Sequence, residues 1–104
     1  MNLKSRMFKC TRELVTEYAP DFKGIFVLFN LQEEVIYIGR ADHSLKQSML
    51  DYMSDTDNPE ERTAYYFCTV YDSNPSQRAL HLLYLYQRYS GRLPVLNEPA
   101  VEVD

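Results

Sequence analysis

Five consecutive apolar residues, Ile25-Phe26-Val27-Leu28-Phe29, follow Gly24 without a polar interruption. A half-solvated strand would alternate, whereas an unbroken β-branched and aromatic run of this length is the pattern of a buried strand. The polar stretch Asn30-Leu31-Gln32-Glu33-Glu34 then reads as a turn, and Val35-Ile36-Tyr37-Ile38 as the returning strand. The hairpin is expected to end in a tight glycine turn at Gly39-Arg40. A two-stranded hairpin is marginal alone in water, so the rest of the chain has to cover it.

Local signals supply the cover. Thr11 to Ala19 fits a short helix stopped by Pro20. Ser44-Leu45-Lys46-Gln47 fits a capping box for a helix within Ala41 to Met53, with Leu45, Met49, Leu50 and Met53 on its core side. Asp51, Asp55, Asp57, Glu60 and Glu61 form a run without lysine or arginine, read as a solvated loop. Thr63 to Tyr71 is a third strand, rich in aromatic and β-branched residues. Asn74-Pro75-Ser76-Gln77 opens a second helix that runs to about Ser90, with Gly91 and Pro94 past its end. Ala79, Leu82, Leu83, Leu85, Tyr86 and Tyr89 share its core arc, while Leu80 and Tyr84 lie on a second, outward stripe and form a candidate interface. The expected fold is a single α/β (α+β) domain, a small three-stranded, antiparallel-containing sheet flanked by helices. Its core spans about 23–97, with 1–22 an N-terminal extension and 99–104 an acidic tail.

At 104 residues the chain has room for one core. It has no apolar run near the roughly 20 residues of a membrane helix, and its basic start is not followed by a hydrophobic block. Cys10 and Cys68 are far apart and form no CxxC, which points to a reduced, cytoplasmic protein without sulfur-bound metal. His43 and His81 lack metal-ligand spacing and are expected to be exposed. A net charge of −4 supplies no long-range attraction to phosphate, and the nine tyrosines lie mainly at core spacing.

The triplet Gly24-Ile25-Phe26, ten further residues and then Tyr37-Ile38-Gly39 resembles the motif pair of the GIY-YIG nuclease superfamily. With the helix, strand, helix and closing segment that follow, the resemblance covers Lys23 to Asn97. It implies the same α/β fold, and in active members a site of five side chains. These are a tyrosine from each motif, an arginine on the first helix, a glutamate on the second and a closing asparagine. Such a site hydrolyses a phosphodiester at one divalent ion, held by the glutamate, with the arginine stabilising phosphate charge.

Carried onto this chain, the second tyrosine is Tyr37 and the asparagine is Asn97, but the first tyrosine is Phe26. Gln47 or Ser48 stands where the arginine belongs, and Ala79 where the glutamate belongs, with no carboxylate between Asp72 and Glu98. Loss of the sole anionic metal ligand removes most of the hold on a magnesium or manganese ion. The resemblance therefore implies a vestigial site and a non-catalytic binding or assembly module, with no cofactor and no metal. Its partner would be a second copy or another protein. The alternatives are a diverged metal-dependent DNA endonuclease, using magnesium or manganese, or a non-cleaving nucleic-acid binder. Lys46 is the only lysine or arginine from Ala41 to Glu61, which weighs against both. Arg40 is a candidate for phosphate or partner-carboxylate contact against a plain surface role. Asn97 is expected to bond its own backbone.

Overall fold

A computed structural model describes residues 7–55 and 64–97. The elements run β1 (Phe8–Lys9), α1 (Arg12–Tyr18), β2 (Gly24–Phe29), β3 (Val35–Ala41), α2 (Leu45–Asp55), β4 (Tyr66–Tyr71) and α3 (Pro75–Ser90). The class is α+β, as the sequence indicates, but the sheet has four antiparallel strands in the order β1-β4-β2-β3 rather than three. The additional strand is only Phe8 and Lys9, paired with Phe67 and Tyr66. Cys10, Val15 and Ala19, which precede the hairpin, are buried in the core. The strand expected over Thr63 to Tyr71 begins at Tyr66, and Thr63 lies outside the described residues.

All six residues of β2 are buried, because it pairs with β3 on one edge and β4 on the other and is covered on both faces. Phe26 and Leu28 point into one cluster with Val15 of α1 and Leu45, Met49 and Met53 of α2. Ile25, Val27 and Phe29 point into the other, with Ala79, Leu82, Leu83 and Tyr86 of α3. Alternation along one strand thus sets α1 and α2 against α3, with the sheet between them. Leu85 is half-buried, whereas Tyr89, expected on the core arc, is 82% exposed. Tyr86 already donates to the carbonyl of Val35, the first residue of β3, at 3.4 Å, so the final turn of α3 runs past the end of that strand.

The helix ends are closed by local chemistry. Thr11 Oγ1 accepts from Leu14 N–H at 3.2 Å, and Asn74 Oδ1 accepts from Gln77 N–H at 3.4 Å. Gly91 ends α3 in the left-handed region at φ 79°, donating to Gln87 O at 2.9 Å. The expected capping box at α2 is only half formed. Ser44 Oγ accepts from Gln47 N–H at 3.1 Å, but the Gln47 amide turns forward to Asp51 at 2.9 Å. Two other initial N–H groups, of Leu45 and Lys46, donate to the carbonyls of Phe22 and Pro20 at 2.8 and 3.0 Å. With those donors satisfied by the preceding loop, the reciprocal glutamine bond is dispensable.

The loop between β2 and β3 is fastened by Asn30. Its N–H donates to Glu34 O, its carbonyl accepts from Glu33 N–H and its Oδ1 accepts from Glu34 N–H, each at 2.9 Å. Glu33 takes up the reversal at φ 65°, among the described residues the one non-glycine with positive φ. A side chain there is unfavourable by about 1–2 kcal/mol relative to glycine. Glu33→Gly should therefore raise unfolding stability by about 0.5–1 kcal/mol after the added entropy of the unfolded chain is deducted. Urea denaturation would show a higher midpoint at unchanged slope.

Candidate functional site

The two motif aromatics meet over a glycine. Phe26 of β2 faces Gly39 of β3 across the ladder, with Tyr37 two residues earlier on the same face. A Cβ on Gly39 would collide with Phe26 Cζ and come within 2.6 Å of Tyr37 Cε2. Gly39 is therefore no turn, as its type and position suggest, but a buried mid-strand residue whose missing side chain is replaced by the rings beside it. Phe26 and Tyr37 lie with ring centroids 5.8 Å apart, and Tyr37 stacks on Tyr52 of α2 at 5.6 Å and 22°. Burial raises the Tyr52 phenol above its ordinary pKa, with Tyr37 and Cys10 adding smaller effects. It gives up its proton less readily than a free phenol, the reverse of what a base needs.

A bulge brings Ile36 to the side that Tyr37 faces. Leu28 faces Tyr37 but Phe29 faces Val35, leaving Ile36 as an extra residue. Ile36 and Tyr37 consequently join the α1/α2 cluster together, while Val35 and Ile38 join the α3 cluster.

The remaining vestigial positions are scattered about this pair. Gln47 is exposed and Ser48 half-buried on α2, on the sheet face that Phe26 and Tyr37 share. Ala79 is buried on the opposite face, against Ile25 and Ile38, so the β-sheet separates it from both motif aromatics. Arg40 is exposed, donates to Ser76 Oγ at the start of α3 at 2.5 Å, and lies 3.9 Å from Asp42. Asn97 is at the outer edge of β3 and does not bond its own backbone through its side chain. Its Oδ1 accepts from Ile38 N–H at 2.8 Å and its Nδ2 donates to Ile38 O at 3.0 Å, while Leu96 N–H donates to Ile36 O at 2.9 Å. One primary amide thus meets both backbone polar groups of one residue, as a neighbouring strand would.

A feature not foreseen lies where β4 turns into α3. Asp72, Asn74, Gln77, Arg78 and His81 line a surface depression of about 370 Å³. Asp72 accepts from Arg78 Nε at 2.9 Å and from Asn74 N–H at 2.8 Å, and the Arg78 bond leads in holding its carboxyl below the usual pKa. The sequence signal was present in Asp72-x-Asn74 and Arg78 six residues on, though it reads first as a helix cap. Its polar groups bond chiefly to one another. Cys10 and Cys68 are buried, and burial pushes the Cys68 thiol up to about 11 despite a bond from the Val27 backbone. His43 and His81 are exposed. Among the described residues, no three histidine, cysteine or carboxylate side chains are grouped to hold a metal ion, and no helix is long and apolar enough to cross a membrane.

No protein-family model, curated protein or solved structure matches this chain.

Two substitutions test the geometry. Gly39→Ala should cost about 1–3 kcal/mol through overpacking. Combined with Phe26→Leu, it should cost less than the two single losses together, by about 0.5–3 kcal/mol, because the shortened side chain vacates the contested space. Chemical denaturation of the four proteins measures the coupling. Asn97→Ala should cost about 1–3 kcal/mol, since it strips partners from both polar groups of Ile38. Amide exchange at Ile38 should accelerate more than at Val27 in the centre of the sheet.

Proposed function

We propose that this chain is a GIY-YIG-like domain without catalysis, serving as a binding or assembly module. The resemblance rests on the motif pair and on the order of hairpin, helix, strand and helix that follows it. The observation that carries the loss of catalysis is the seating of Phe26. Its Cζ, the atom that would bear a phenol oxygen, is packed against Gly39, and the residue is 4% exposed. The position works as packing and offers no group that could relay a proton.

The other replaced positions support the same reading. Gln47 is spent on Asp51, and Ala79 contributes a methyl group to the core on the far face of the sheet. Neither supplies the positive charge or the carboxylate that phosphodiester hydrolysis at a divalent ion requires. The binding half of the proposal draws on α3, where Leu80 and Tyr84 are 68% and 56% exposed one turn apart. Two large apolar side chains held in water on a rigid helix suit a contact surface.

Purified protein incubated with supercoiled and branched DNA and magnesium or manganese should leave the DNA uncut. Phe26→Tyr should not change that outcome, because it restores no metal ligand. Metal-dependent cleavage that disappears in Tyr37→Phe would overturn the proposal and return the chain to the nucleases.

A further inference from the structure

We infer that the outer face of α3 docks an acidic, apolar-faced segment of a different protein. This rests on the binding-module reading and adds the chemistry of the partner. The face carries Leu80 and Tyr84 at its centre, with exposed Gln77, His81 and Arg88 around them. Arg88 donates to the Tyr84 hydroxyl at 3.3 Å, which holds the ring and the guanidinium as one unit. Tyrosine and arginine are among the side chains enriched where binding energy concentrates.

Charge chooses the occupant. The chain is acidic overall, at −4, yet from Ser73 to Asn97 it carries three arginines and no carboxylate. The exposed Asp51 belongs to α2, on the other side of the sheet. A two-fold pairing of α3 with a second copy would bring Arg88 no free carboxylate, because the Asp72 carboxylate beside this face is already held by Arg78 at 2.9 Å. A pairing that leaves the guanidinium without an opposite charge is selected against. A nucleic acid is matched less well, because Arg78 is already held by Asp72 at 2.9 Å and a phosphate backbone is gripped by several cations together. An acidic segment with its own apolar face satisfies both halves of the surface. It covers Leu80 and Tyr84 and brings carboxylates to Arg88.

The test uses the full chain labelled with ¹⁵N and two short synthetic helical peptides of identical leucine and phenylalanine face. One has glutamate flanks and the other lysine flanks. The glutamate peptide should shift the amide signals of Gln77, Leu80, His81, Tyr84 and Arg88, and bind about tenfold or more tightly than its lysine twin. Leu80→Ser/Tyr84→Ser should weaken it about tenfold, and Arg88→Glu should reverse the preference between the peptides. Undisturbed signal dispersion elsewhere in the spectrum establishes that each variant is folded. The inference falls if neither peptide moves α3 or if both bind equally. It falls too if only single-stranded oligothymidine moves these signals, or if they shift with protein concentration alone, which would mark a second copy. The DNA-cleavage assay is read separately, so an active nuclease that still prefers the acidic peptide would defeat the functional proposal and leave this surface standing.

Discussion

β2 has water on neither face and at neither edge, and the rest of the fold answers to that constraint. Its six residues, Gly24 to Phe29, are all buried. A strand in that position has to be paired on both sides, by β3 and β4, and roofed on both faces, by α1 with α2 and by α3. Even Gly24 obeys the crowding, since a Cβ there would collide with Val70 O and come within 3.0 Å of Leu45 Cδ1. The helices stand where they do because alternation along this strand sends Phe26 and Leu28 one way and Ile25, Val27 and Phe29 the other.

The same alternation divides the residues that a nuclease reading would gather. Phe26 and Tyr37 lie under α2, while Ala79 lies under α3. Tyr37 takes its side from its pairing with Leu28, and the bulge at Ile36 adds a second residue to that face; in uninterrupted register, Ile36 and Tyr37 could not both join the same cluster. The Phe26, Tyr37 and Tyr52 rings then form a continuous aromatic column from sheet to helix. This column joins elements and lends neither charge nor metal donors to the surface.

What was legible in the sequence was local. The caps at Ser44 and Asn74, the proline opening α3 and the glycine closing it act within a few residues, and each stands where its signal placed it. The outward placement of Leu80 and Tyr84 followed from helical periodicity alone. What escaped was defined by partners distant in the chain. β1 is two residues without a pattern and exists because β4 offers an edge. Gly39 resembles a turn glycine until the Phe26 ring lying over it is seen. Tyr89 keeps the helical phase of the core arc but has outrun β3 beneath it. Asn97 reaches Ile38 across 59 residues, a span no local rule covers. Of the site positions, their residue types were legible, but their division between two faces required the strand register.

The amide clasp of Asn97 on Ile38 also bears on how copies of this protein can meet. An open sheet invites growth, since any extended peptide can dock on its unpaired outer groups. Here the clasp, together with the Leu96 N–H bond to Ile36 O, occupies part of the rim at β3. Lateral stacking is thereby discouraged along that rim. Encounters are diverted from backbone-led adhesion, which accepts almost any sequence, toward side chains on helices, which choose.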